Sequence, residues 1–548
     1  MRSITGTLEN RREAWIETDN DQDTLFHPLP QKRPSSSSKG VGLDVHCTHV
    51  LSLLVALDHH LRDPLLAMPG CSSNVNPCTH AKLLLDTPSP FAAQAGYTRP
   101  TAQQRASAAM TSASTKNRPS CQPSTTFPAP LVLPDDDLAL DSSYPPQSLR
   151  SWVRNKDRNE VTEDRRTIYV AAPPEVSADV GFMNDWCSPQ FKARKEVASG
   201  VGSVTNAPST EDVVDYLRAF CHGVPVKLTP ADVKLRYTAW EDDSGTTKNQ
   251  PSYIGLASST DSCVRIRVRH RPSSLYPHQL NLDDLLDATI DILPPDAYAL
   301  LLLTSHDLYE DDDDDFACGR AYGGSRVAVV SMARYDPGLD RVQGVDRVHS
   351  WPASCCAVYV EECCGETTKQ KKRRKRDLAQ PDLEARTEHS AMHAAVSAFQ
   401  RLSPYTHTSQ PATSESECYL RGLWLGRVCR TASHELGHCF GIDHCVYYAC
   451  VMQGTAGLGE DARQPPYLCP VDEAKVLRAI DGAKLSSSTS KFKLSGSIPG
   501  AKLPSSASGP KEAWRVRDKK LRAFCAKWKE LEMFGAFGAW LDVRLAKG

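Results

Sequence analysis

The stretch HELGHCFGIDHC (434–445) restricts this chain more than any other segment. His434 and His438 are four residues apart. On a helix they stand on one face, one turn apart, and can hold a single ion between them. Glu435 lies between them, toward the open side of such an ion. Gly441 supplies the tight or left-handed turn at which the helix must end. That turn brings His444 back toward the first two histidines. Three imidazoles leave a fourth tetrahedral position for water, whose pKa zinc lowers to about 7. Glu435 can take a proton from that water and pass it to a leaving amine.

The same stretch starts a second ligand set. Cys445 follows His444 directly, and Cys450 and Cys469 come after it. Thiolates at this spacing suit a closed structural zinc, with Asp472 where a fourth ligand is expected. Met452 is either a core residue or a side chain packed beneath the catalytic ion.

Taken together, these residues resemble the signature of the archaemetzincins, a family of metzincin zinc peptidases. That signature runs HExxHxxGxxHC, four residues, CxM, about seventeen residues, then CxxC. His434, Glu435, His438, Gly441, His444, Cys445, Cys450, Met452 and Cys469 match it. HDLYEDDDDDFACGRA (306–321) and VAVVSMARY (327–335) resemble the strand pair before the family's catalytic helix. The segment 129–154 and the tail 534–545 look like fungal members, and the likeness spans roughly residues 80–545. Two departures stand out. The interval after Met452 is one residue short, and CPVD puts Asp472 where the last cysteine of CxxC belongs. Carboxylate oxygen also ligates zinc, though such a site holds the ion more weakly. Cys439 or a cysteine within 355–364 is the alternative fourth ligand.

The resemblance implies an α/β (α+β) metzincin-like domain. It would have a mixed twisted sheet, an active-site helix along its base and a small cysteine-rich zinc subdomain. A strand within 325–335 would form the edge of the cleft and take an extended peptide as an added strand. The implied activity is peptide-bond hydrolysis, aminopeptidase-like on short peptides, with one catalytic Zn2+, one structural Zn2+ and a peptide or protein substrate. Tyr447, Tyr448 and Tyr467 are candidates for stabilising the reacting carbonyl by proximity alone. The rival reading is a zinc-stabilised module, nuclear in location, that binds peptides without cutting them. An intact Glu435 argues for the enzyme, since a binding site has no need of a base.

The rest of the 548-residue chain sets the context. Its net charge of −2 gives no bulk attraction to nucleic acid. No apolar run is long enough to span a membrane, and the polar start does not resemble a secretory leader. An odd nineteen cysteines do not make a disulfide scaffold, so an intracellular, reducing compartment is expected. Residues 1–125 are rich in serine and proline and are expected to lack a core. A metallopeptidase domain is expected over 126–484, with an unstructured insertion at 338–383. A linker at 485–510 and an amphipathic helical tail at 511–548 would follow. Alternation predicts a strand at 263–270, a continuous apolar run a buried central strand at 298–309, and β-branched or otherwise strand-like stretches further strands at 166–174, 224–230, 233–240 and 325–335. Helices are predicted at 209–223, 281–295, 384–402 and 416–441. KQKKRRKR (369–376) reads as a solvated loop or a nuclear signal, and EDDDDD (310–315) as a solvated acidic loop. His222, His306, His389 and His393 show no ligand pattern.

Overall fold

A computed structural model describes residues 78–111, 121–191, 207–240, 250–259, 262–365, 390–403, 413–492 and 510–547. The side chains of 413–416, 482–492 and 510–511 fall outside this set. The strands are β1 (Thr167–Ala171), β2 (Glu175–Val176), β3 (Val226–Leu228), β4 (Leu235–Ala239), β5 (Tyr253–Ser258), β6 (Cys263–His270), β7 (His278–Asn281), β8 (Ala297–Thr304), β9 (Leu308–Tyr309), β10 (Gly319–Tyr322) and β11 (Val327–Ser331). One mixed sheet runs β10-β11-β8-β1-β3, with only β10 antiparallel, and a second runs β2-β4-β5-β6-β7-β9. The longer helices are α1 (Thr210–Phe220), α2 (Leu282–Asp291), α3 (Ala391–Leu402), α4 (Thr413–Cys439), α5 (Pro470–Phe492), α6 (Pro510–Lys527) and α7 (Glu532–Lys547).

The apolar run of β8 is central because both faces of its sheet are covered. Leu301 and Leu303 pack with α1 and α4 in the larger core. Leu300 and Leu302, on the other face, pack with α2 and the second sheet. A strand buried on both sides reads as continuous hydrophobics rather than as alternation. By contrast β6 alternates. Ile266 and Val268 are buried, while Arg267 between them pairs with Asp284 of α2 at 2.8 Å and Arg269 after them pairs with Asp314 of the acidic loop at 3.1 Å. Helix starts follow local capping. Ser209 accepts from the Asp212 amide and Asn281 from that of Asp284.

Several expectations need correction. The acidic run is solvated at Asp311, Asp312, Asp313 and Asp315 as expected, but it is also anchored, since Arg269 and Arg271 of the β6 end and Arg320 of β10 hold Asp314, Asp315 and Glu310. The edge strand of the five-stranded sheet beside α4 is β10, not the 325–335 strand. β11 lies inside the sheet because the chain folds back antiparallel at 322–327. Residues 78–111 and 121–125 are structured. They carry a capped helix, Ala102–Ala108, and Tyr97 donates to the Val446 carbonyl at 2.7 Å. Within 338–383, residues 338–365 are folded: Trp351, Ala353, Cys355, Cys356 and Val360 enter the core. Their aromatic and small side chains are what pack there, and the cysteines had obscured this. KQKKRRKR lies outside the described residues. Helix α5 continues to Phe492, into the segment expected to be linker. Among the described residues, no helix is long and apolar enough to cross a membrane.

The helical tail consists of two helices, α6 and α7, and it docks on the rest of the fold. Trp540 is fully buried and stacks on Tyr467 at 4.3 Å, its indole N–H donating to the Thr126 carbonyl. Arg517 and Arg544 both reach Glu473, in the first turn of α5. Trp540→Ala is expected to cost about 3–5 kcal/mol, because the cavity would be lined by rings that cannot collapse together. Urea unfolding of the full chain measures it; a loss below about 1 kcal/mol would mean that the tail is not part of the cooperative core.

Candidate functional site

Helix α4 buries Leu425, Val428, Cys429, Ala432, Leu436 and Cys439, a stripe at helical spacing that seats it on the sheet. Seating that stripe fixes the opposite face, which carries His434 and His438. The helix ends at Gly441, whose φ of +71° is left-handed. The Ile442 amide donates back to the Gly437 carbonyl at 3.1 Å, and the turn returns His444 to the other two histidines. The ring centroids lie 4.8, 5.2 and 5.4 Å apart.

The hydrogen bonds fix the tautomers. His434 Nδ1 faces the Val451 carbonyl and His438 Nδ1 the Ile442 carbonyl, each at 2.7 Å. A carbonyl oxygen only accepts, so both Nδ1 atoms carry the proton. Both Nε2 atoms are therefore lone-pair acceptors, yet they face each other at 3.1 Å. Burial pushes both imidazoles toward the neutral form, His438 down to about 3 with His434 adding to the effect. Two buried lone pairs aimed at one point repel unless a cation lies between them. With half-buried His444, the three ring nitrogens lie within 4.8 Å of one another. This donor set fits Zn2+.

Glu435 is buried, and its Oε2 has no hydrogen-bond partner among the described residues. Burial pushes its carboxyl up to about 8; Arg320 opposes the shift and Glu310 adds to it. Sequence reasoning overlooked this pair. Arg320 sits on β10 and binds Glu310 at 2.5 Å and Asp283 at 3.1 Å. Only the fold of β10 beside α4 brings them near Glu435. Arg430 and Asp461, paired at 2.5 Å, form a second buried ion pair close to His434.

Met452 packs beneath the histidines. A Cβ on Gly437 would lie 2.3 Å from Met452 Sδ, so the thioether rests on bare helix backbone between His434 and His438. Gly437→Ala is expected to displace Met452 and destabilise the fold by about 1–3 kcal/mol. Urea unfolding, with zinc content measured alongside, checks it; an unchanged midpoint would mean that Met452 has room to move.

The second ligand set also assembles. Cys445, Cys450, Cys469 and Asp472 are all buried, with donor atoms within 4.8 Å of one another. Asp472 divides its carboxylate. Oδ2 lies 3.3 Å from Cys450 Sγ and 3.2 Å from Cys469 Sγ, while Oδ1 binds the Lys475 ammonium at 2.8 Å. Cys439 is not part of the set. It lies in the main core, and the cysteines at 355–364 are elsewhere. The three tyrosines do not line the histidine cluster in the way proximity suggested. Tyr448 OH meets Cys121, Tyr467 packs between aromatic rings, and Tyr447 neighbours the cysteines. His306 is a core residue against the Met183 carbonyl, and His393 bonds the capping Ser390. His389 lies outside the described residues.

A mixed sheet carrying a helix with three converging histidines and an unpaired carboxylate defines an α/β protein built around a metal centre. The profile of Peptidase family M54 matches residues 414–476. The chain is 28% identical over 328 residues to the archaemetzincin-2 of Mus musculus, covering 58% of this chain and 70% of that protein. It is 28% identical to the Macaca fascicularis archaemetzincin-2, spanning 42% of that protein's length. With the archaemetzincin of Thermococcus kodakarensis it shares 32% over 90 residues, 16% of this chain and 44% of that one. A solved archaemetzincin from Methanopyrus kandleri is 17% identical with a TM-score of 0.26, covering 58% of this chain and 97% of that one. The chain carries a Peptidase M54 domain and is a homologue of the archaemetzincins.

Proposed function

We propose that this protein is a zinc-dependent peptidase whose centre is His434, His438, His444 and Glu435. The observation that carries the reading is the pair of deprotonated Nε2 atoms facing each other beside a buried carboxylate with no partner. Zinc, when bound by the three histidines, acts as a Lewis acid and brings a water within reach of deprotonation at neutral pH.

The chain's own residues supply the remainder. The Val451 and Ile442 carbonyls hold the two rings with Nε2 inward. Glu435 Oε2 takes a proton from the attacking water and delivers it to the leaving nitrogen. Its burial makes it basic enough to accept, and a bound dication would favour its ionised form. β10, at the edge of its sheet, offers unpaired backbone groups to an extended peptide. An aminopeptidase-like preference for short peptides is part of this proposal, as is residence in a reducing compartment, which the thiolate set requires. Cys445, Cys450, Cys469 and Asp472 would hold a second, structural zinc. Three thiolates and a carboxylate carry four negative charges against the ion's two, and Lys475 offsets one of the remainder.

The test is a digest of a peptide library, with free and blocked N-termini, by wild type and Glu435→Gln. Zinc content is measured in both. Cleavage by wild type alone supports the proposal. Equal cleavage by both, or peptide binding without cleavage by zinc-loaded wild type, would sink it in favour of a binding module.

A further inference from the structure

A third ligand set lies apart from the two already described. Cys78, His349 and Cys356 place two sulfurs and a ring nitrogen within 4.8 Å of one another, and they share no residue with the other centres. Each comes from a different piece of chain. Cys78 stands at the start of the described N-terminal segment, His349 in the loop after Gly344, and Cys356 at the N-cap of the helix Ala357–Cys363. Backbone pairing holds these pieces together. The Leu84 amide donates to the Cys355 carbonyl at 2.8 Å, and the Ala357 amide to the Lys82 carbonyl at 2.9 Å.

The geometry suits a tetrahedral ion rather than a bond or a nucleophile. The sulfurs are 3.5 Å apart, far beyond the ~2.05 Å of a disulfide. Two thiolates at ~2.3 Å from one tetrahedral zinc are about 3.8 Å apart. Cys356 is 1% exposed, which keeps it from any substrate. His349 is oriented as a metal ligand commonly is. Its Nδ1 meets the Asp346 carboxylate at 2.7 Å and its ring stacks on Tyr359 at 4.2 Å. That leaves its Nε2 as the atom available to a ligand, and this buried Nε2 faces the thiols of Cys78 and Cys356. His80, 5% exposed, stands edge-on to His349 at 5.3 Å, and its own Nε2 is buried without a partner among the described residues.

We propose that Cys78, His349 and Cys356 bind a zinc ion that staples the N-terminal segment to the folded part of the 338–365 region. Asp346 is a positioning residue for His349. Such a staple explains why a short segment with little core of its own is ordered here, since metal binding stabilises whatever fold brings the ligands together.

Zinc is counted in the purified, reduced full chain. Cys78→Ser and Cys356→Ser are each expected to lose one zinc per chain relative to wild type, with peptide cleavage retained. Asp346→Asn is expected to weaken that one site by about 10–100-fold in competition with a chelator. A folded Cys356→Ser protein with an unchanged zinc count would overturn the proposal. Should the variants fail to fold, zinc-edge anomalous scattering from wild-type crystals decides. A peak between Cys78 Sγ, Cys356 Sγ and His349 Nε2 is expected; a sulfur–sulfur bond or no peak there overturns it. This readout does not depend on peptidase activity, so its failure would leave the histidine centre unaffected.

Discussion

Glu435→Gln is expected to lower peptide cleavage by about 10²–10⁴-fold while leaving the zinc count unchanged. Glutamine keeps the shape of the side chain and removes only the basic oxygen. Glu435 is 3% exposed and Oε2 has no partner, so a neutral amide is tolerated without leaving a charge stranded. The three histidines are held by carbonyls of Val451 and Ile442 and by the Gly441 turn, none of which involves Glu435. Activity and metal content should therefore separate. Loss of both together would make Glu435 a structural residue of the centre rather than its base. The comparison needs initial rates on a fixed peptide and zinc determined on the same sample.

Asp472→Ala carries the second large effect, on stability. Asp472 and Lys475 are each 1% exposed and bonded at 2.8 Å. Removing the carboxylate leaves a buried ammonium with Gln147 Oε1 as its remaining described partner. Breaking a buried pair from one side costs about 3–5 kcal/mol. The loss of one zinc ligand adds to this, so the zinc count should fall by one. The double variant Asp472→Cys, Lys475→Met removes the stranded charge and rebuilds an all-thiolate set, and is expected to recover both stability and zinc. Urea unfolding with metal analysis of the three proteins is the measurement. An Asp472→Ala protein with wild-type midpoint and zinc count would remove Asp472 from the ligand set.

Local patterns account for what could be read in advance. The spacing of His434, His438, Gly441 and His444 is a property of one helix and its stop, so the cluster was legible from a dozen residues. β1, β8 and α1 were legible for the same reason: their apolar periods and caps are written within the segment. β10 was not legible from its own pattern, because four residues paired antiparallel to β11 leave no period to detect, and only the family resemblance of 306–321 pointed to a strand there. Nor was the folding of 338–365. Its cysteines and prolines look like a loop until Trp351 and Cys356 find their places in the core.

Asp472 marks the boundary between the two kinds of information. The departure from a cysteine is visible in the sequence, and so is the question of what replaces it. The answer depends on which charges are buried beside it, and Lys475 three residues on becomes its partner only because α5 turns both inward. The third set is a stronger case. Cys78 and Cys356 are 278 residues apart, and no spacing rule connects them. Helical and turn geometry act over a few residues, so the chain alone determined the histidine centre. Ligands gathered from distant segments depend on packing, and only the folded protein brought Cys78, His349 and Cys356 together, and Arg320 and Glu310 to the side of Glu435.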